Sequence, residues 1–192
     1  MQIKHPSRGT EMIVEELIDQ DDTMAALHPQ SVNALRITTV RAANGQTVMY
    51  RPRIKIGMNG GFLASAAQNG VIAEIDPSTG VIRTDGYNEN GEHYLVHPNI
   101  GIPIKGFQIP KWDELLELVD DLNREMHEFG YIGWDLVLSK SGWCVMEGNY
   151  SGEIASQVIL GKGLRRELEE LIGWKPKKEY WERYPHYAST RD

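Results

Sequence analysis

One cysteine, Cys144, stands in 192 residues, so no disulfide can form within the chain, which suits a protein of the reducing cytoplasm. No apolar run reaches the roughly 18 residues of a membrane-spanning helix, and the polar N-terminus carries no secretory signal. Positive charge is also scarce. The 20 Lys and Arg against 27 Asp and Glu give a net charge of −7, which argues against a nucleic-acid partner, because phosphate-backbone affinity needs clustered excess cations. The one basic cluster, Lys175, Lys177 and Lys178, is short. Neither Gly-x-Gly-x-x-Gly nor a P-loop occurs; the glycine-rich residues 57–70 match neither pattern and read as a flexible, substrate-facing loop. There is no internal repeat. The hydrophobic share of 41% is ordinary, and the length suffices for one domain with a real core or two small lobes.

Along the chain, residues 11–18 (EMIVEELI) read as an edge strand followed by an acidic loop, and residues 23–27 as one helical turn broken by His28-Pro29. His28 has no obvious partner nearby in sequence. Residues 34–42 and 47–57 flank Asn44-Gly45 and form a hairpin signal, with Pro52 marking an edge or a bulge. By period two, Arg51, Arg53 and Lys55 share one face, which is either an anion site or a charged sheet surface. Residues 71–76 and 81–84 make a third hairpin around Pro77-Ser78-Thr79-Gly80, and residues 85–92 a polar loop. His97 and Lys105 stand out in an irregular connection over 94–110. An amphipathic helix is expected over 110–129, stopped by Gly130, and another over 164–172, stopped by Gly173. The tail from residue 174 is polar with scattered aromatics.

Residues 130–149 (GYIGWDLVLSKSGWCVMEGN) carry the chemistry. They read as strands over 131–139 and 143–149 around a three-residue turn, Lys140-Ser141-Gly142. That register sets Asp135 opposite Glu147 with Asn149 on the same face, and turns Trp134, Leu136, Leu138, Cys144 and Met146 toward the core. Two carboxylates about 5 Å apart repel by roughly 3 kcal/mol at an effective dielectric near 20, a cost that something must offset. Mg²⁺ does so naturally, taking a few protein oxygens and completing its shell with water and substrate phosphates. The alternative is a solvated acidic hairpin with a neighbouring Lys or Arg.

Antiparallel hairpins with two packed helices give an α+β fold, and D-x₁₁-E-x-N at its end resembles the metal triad of ATP-grasp enzymes. More closely, residues 31–39, 69–80, 97–112 and 133–149 are similar in order and content to the sugar-transfer-associated ATP-grasp family, so the whole resembles the C-terminal lobe of that fold over residues 11–173. Residues 1–10 then form an N-terminal extension and 174–192 a tail. The resemblance implies that Asp135, Glu147 and Asn149 bind the Mg²⁺ of ATP. It also implies that Glu15, Glu16, Leu17 and Ile18 form the hinge that meets adenine, that Asp21 or Asp22 falls near the ribose, and that Arg36 and Arg53 contact phosphate or acyl phosphate. Ala64-Ser65 departs from the family's Asp-Asn pair. The implied activity is an ATP- and Mg²⁺-dependent carboxylate-amine ligase acting on a small carboxylate or sugar-linked substrate in polysaccharide or peptide-sugar synthesis. The chain begins near the hinge, so it is expected to be a fragment or to draw the preceding lobe from a partner chain. A non-catalytic nucleotide- or metal-binding module is the other reading.

Overall fold

The computed structural model describes residues 16–59, 70–150, 155–175 and 182–183. An antiparallel seven-stranded sheet in the order β5-β4-β3-β2-β1-β6-β7 forms the centre of an α+β fold. Its strands are β1 (Ala34–Arg41), β2 (Thr47–Ile56), β3 (Val71–Glu74), β4 (Gly86–Tyr87), β5 (His93–Tyr94), β6 (Tyr131–Ser139) and β7 (Gly142–Asn149). The helices are α1 (Asp22–Ala25), α2 (Trp112–Glu125), α3 (Ala155–Leu160) and α4 (Arg165–Ile172). β1 and β6 are internal strands of the sheet and are buried along nearly their whole lengths. Residues 11–15 of the strand expected over 11–18, Glu15 of the hinge among them, the core of the glycine-rich loop with Ala64-Ser65, and most of the tail lie outside the described residues, while residues 16–18 form no strand.

The sheet separates apolar from charged side chains. On one face Leu35, Ile54, Ile56, Leu136 and Leu138 pack with Trp112, Leu115 and Val119 of α2 and with Met24 and Leu27 around α1. The other face carries charge and is met by the C-terminal helices. Ile159 of α3 packs on Ile72 beside Tyr87, and α4 is held to β2 through Arg51 and Glu167.

Several expectations change in detail. The β6–β7 loop has two residues, Lys140 and Ser141, because Ser139 pairs with Gly142, not three as the turn chemistry suggests. Gly142, at φ 128, opens β7 instead of closing the turn. A bulge between Asp135 and Leu136 then shifts the register, so Asp135 still faces Glu147. Below the bulge the faces differ from simple alternation. Cys144 pairs with Val137 rather than facing the core, and Met146 and Val145 lie exposed at 50% and 41% on an edge strand.

A second bulge lies where Pro52 predicts one. Between the pairs Arg36–Arg53 and Thr38–Tyr50, Ile37 alone opposes Arg51 and Pro52, and Arg51 takes a left-handed φ of 45°. β2 is nevertheless an internal strand, since Pro52 needs no N–H there and its carbonyl accepts from the Ile75 amide at 2.8 Å. Residues 85–92 are not wholly loop. They include β4, and the Asn88 side chain folds the turn to β5 by accepting from the Asn90 and Glu92 amides. α2 ends at Glu125, four residues short of Phe129, and Met126 and Phe129 remain exposed at 38% and 44%. α3 is an additional helix. His28 has a near partner after all: Ser31 Oγ lies 2.8 Å from its Nδ1.

Candidate functional site

Strand register builds the site. Arg36 of β1 pairs with Arg53 of β2 on one side and with Asp135 of β6 on the other; Arg53 in turn pairs with Glu74, and Asp135 with Glu147. The sequence Glu74–Arg53–Arg36–Asp135–Glu147 therefore runs as one row across five adjacent strands, and directly paired residues share a face. Four of the five are buried; Glu147, on the edge strand, is exposed.

The contacts along the row are specific. Arg36 grips Asp135 with both arms of its fork, Nε donating to Oδ1 at 2.7 Å and Nη2 to Oδ2 at 2.9 Å. Lys55, two residues from Arg53 on the same face, donates to Asp135 Oδ1 at 3.3 Å. Asn149 donates to Glu147 Oε1 at 3.0 Å, with the Gly133 carbonyl a longer second acceptor at 3.4 Å. At the opposite end Glu74, 1% exposed, accepts from Arg51 and from Arg83. Arg51 also clasps Glu167 of α4 with two bonds of 2.9 and 2.8 Å. The basic face of β2 is thus covered by acids from β3, β6 and α4.

Burial pushes the Asp135 carboxyl above its usual range, although Lys55 and Arg36 pull against it. Glu147 is held below its usual range, first by the Asn149 amide and then by its hydrogen bond with Asp135. The two acids are thus shifted in opposite directions, the buried Asp135 upward and the exposed Glu147 downward.

Glycines shape the same row. A Cβ on Gly133 would sit 2.8 Å from Arg36 Nη1, and one on Gly148 would sit 2.9 Å from the Trp134 ring on the opposite face. The glycine between Glu147 and Asn149 therefore leaves room for an indole whose Nε1 donates to Thr39 Oγ1.

Asp135, Glu147 and Asn149, separated in sequence, come together as the spacing suggests. Their donors are hard oxygens, and two carboxylates with one amide is the sparse protein share that suits Mg²⁺. Those donor types suit a divalent cation, while Arg36 and Lys55 already offset the Asp135 charge in place. Among the described residues no group of three or more His, Cys, Asp or Glu is arranged for a metal. Arg36 and Arg53 are adjacent in the same row. Glu16, Leu17, Ile18 and Asp22 lie apart from it. Their segment docks at the far end of β6, where Gln20 bridges Ser139 and the Asp21 amide donates to the Leu138 carbonyl. Leu17 is 92% exposed, and Asp22 lies 3.6 Å from Lys140 Nζ. Sequence reasoning missed Glu74 and the part played by Lys55. An acid within the apolar run of β3 was the available signal for Glu74.

Neither the curated proteins nor the solved structures yield a match to this chain. Among the described residues no helix is long and apolar enough to cross a membrane. A family model described as "Sugar-transfer associated ATP-grasp" matches residues 4–172, most of the chain. The chain belongs to the sugar-transfer associated ATP-grasp family.

Proposed function

We propose that this chain carries the metal- and phosphate-binding part of an ATP-dependent carboxylate ligase. The observation that carries the reading is the five-strand row, in which a carboxylate pair and an arginine pair stand side by side on one rigid sheet face. Asp135, Glu147 and Asn149 would hold Mg²⁺, which when bound offsets negative charge on the transferring phosphoryl group. Arg36 and Arg53 would orient that group and stabilise its developing charge. A substrate carboxylate oxygen attacks the γ-phosphorus as the bond to the β–γ bridging oxygen breaks, giving an acyl phosphate and ADP. An amine then attacks the acyl carbon, loses its proton to solvent, and phosphate leaves. No protein nucleophile is needed. Glu16, Leu17, Ile18 and Asp22 would meet the adenosine; their segment docks four residues along β6 from Asp135, roughly 13 Å at the rise of a strand, a span that an extended nucleotide bridges. A small carboxylate or sugar-linked acid in polysaccharide or peptide-sugar synthesis is the substrate class.

Calorimetric titration with Mg·ATP tests this. The parent chain binds, and Glu147→Ala loses at least about tenfold in affinity, the loss expected for one charged ligand removed. Equal binding by both removes Glu147 from the site. The second reading, a non-catalytic module, draws on the grip of Arg36 and Lys55 on Asp135, which balances the acid without any metal. Binding of Mg·ATP by the parent chain without turnover favours it, and absence of binding counts against both readings.

A further inference from the structure

The ligand proposed for the divalent cation is already in use. Both Asp135 oxygens are engaged by the Arg36 fork, and Lys55 shares Oδ1. The side chains of Arg36 and Asp135 are 8% and 11% exposed, so water does little to screen the pair. A metal ion reaching Asp135 therefore meets two fixed positive charges at hydrogen-bond distance from the oxygen it needs. Its binding must move the guanidinium off at least one of those oxygens.

The register gives the released guanidinium a destination. Arg36 stands directly opposite Arg53, and two like charges facing each other across a ladder are unfavourable unless an anion lies between them. While Arg36 leans on Asp135, that repulsion is relieved. Once it swings away, the two guanidiniums together suit the oxygens of a phosphate-class anion. Glycine at 133 leaves the guanidinium its present place, since a Cβ there would meet Arg36 Nη1 at 2.8 Å.

Building on the metal site proposed above, we infer that Arg36 is a resident counter-ion of Asp135 that a divalent cation displaces, and that the displaced guanidinium joins Arg53 to hold a phosphate-class anion. The two ligands then bind cooperatively. Metal alone binds weakly because it must expel Arg36 with nothing to receive it; anion alone binds weakly because Arg36 is engaged elsewhere. Each ligand lowers the cost of the other by the same factor, as linkage requires. Arg36 is thus a positioning residue for the cation as well as a contact for the anion.

The sign of one substitution makes this testable, since removing a residue from a binding site ordinarily weakens binding. Mn²⁺ binding to the full chain is followed by the loss of its free-ion paramagnetic resonance signal, with and without inorganic phosphate. Arg36→Gln binds Mn²⁺ alone more tightly than the parent, on the order of tenfold. Phosphate tightens Mn²⁺ binding to the parent by a similar factor and leaves Arg36→Gln unmoved. Lys55→Gln shifts Mn²⁺ affinity in the same direction by less, and carries the test if Arg36→Gln fails to fold. Glu147→Gln weakens Mn²⁺ in every condition. If neither Arg36→Gln nor Lys55→Gln tightens Mn²⁺ binding while Glu147→Gln weakens it, the counter-ion role is overturned and the metal site stands. If the parent binds no Mn²⁺ with or without phosphate, or Glu147→Gln changes nothing, both are overturned.

Discussion

Gly133 has a specific reason to be glycine. It sits in β6 between Thr38 and Asn149, two residues before Asp135, and its missing side chain is the space that Arg36 uses to lie along the strand. An alanine methyl would meet Nη1 at 2.8 Å, and the guanidinium, pinned by its two bonds to Asp135, could not yield without weakening one of them. Gly133→Ala should destabilise the chain by about 1–3 kcal/mol, the usual cost of overpacking a closed site, read from the midpoint of urea unfolding. In an Arg36→Gln background most of that cost should vanish. An equal penalty in both backgrounds would mean that the methyl meets something other than Arg36. The same residues show what a sequence can and cannot reveal at this scale. The pairing of Asp135 with Glu147 was anticipated from a three-residue turn, and it holds because the bulge in β7 makes up for a turn one residue shorter. The grip of Arg36 and Lys55 on Asp135 was not legible, because those contacts span 99 and 80 residues and exist only through the pairing of β1 with β6 and β2.

Among the elements, the two bulges do most to separate the fold from its sequence pattern. Period-two alternation predicts the faces correctly along β6, but one extra residue in β7 exchanges them there, which is why Cys144 leaves the core face and Met146 is exposed. The β2 bulge is more consequential. It places Arg51 at φ 45°, a conformation that costs a non-glycine residue roughly 1 kcal/mol or more, and in return Arg51 reaches both β3 and α4. Proline gave the position away; nothing local pointed to Glu167 as the partner, 116 residues on. α4 presents no fully buried side chain, so this bidentate pair and the bond from the Ala43 amide to the Leu171 carbonyl are important anchors. A double-mutant cycle of Arg51→Ala and Glu167→Ala should give a coupling of about 0.5–1 kcal/mol, small because Glu167 is 39% exposed. The same variants should raise amide exchange in α4 while leaving β6 unchanged. Unchanged exchange in α4 would show that other contacts hold the helix.

For the whole molecule, pH dependence follows from buried groups with shifts of opposite sign. Burial holds His28 and His97 below the ordinary histidine value of 6.5, and in His28 the neighbouring His97 adds to the effect. Both are neutral in place: His97 donates from Nε2 to the Gly57 carbonyl at 2.7 Å, and its Nδ1 accepts, weakly, from the Asn99 amide at 3.4 Å. The unfolded chain takes up protons near pH 6.5 that the folded chain refuses. Their contribution to stability is therefore complete above that value and declines as pH falls, by at most about 1.4 kcal/mol per pH unit for each group. Glu167, lowered chiefly by Arg51, adds a second decline below its ordinary value of 4.5. Asp135 acts the other way. Its raised folded value means that its contribution is present below the ordinary 3.8 and is lost as pH rises through the folded value, so it partly offsets Glu167 in acid. Near neutrality the histidines dominate, and the urea midpoint should fall between about pH 7.5 and about pH 5.5. Replacing both, as His28→Asn with His97→Gln, should flatten that decline even if it lowers stability at the higher pH. A decline of undiminished steepness in the double variant would assign the pH dependence to other groups. The buried polar contacts among His28, Ser31, Gly57 and His97 would then act through packing alone: a Cβ at Gly57 would lie 2.0 Å from Ser31 Oγ and 2.9 Å from His28 Nδ1.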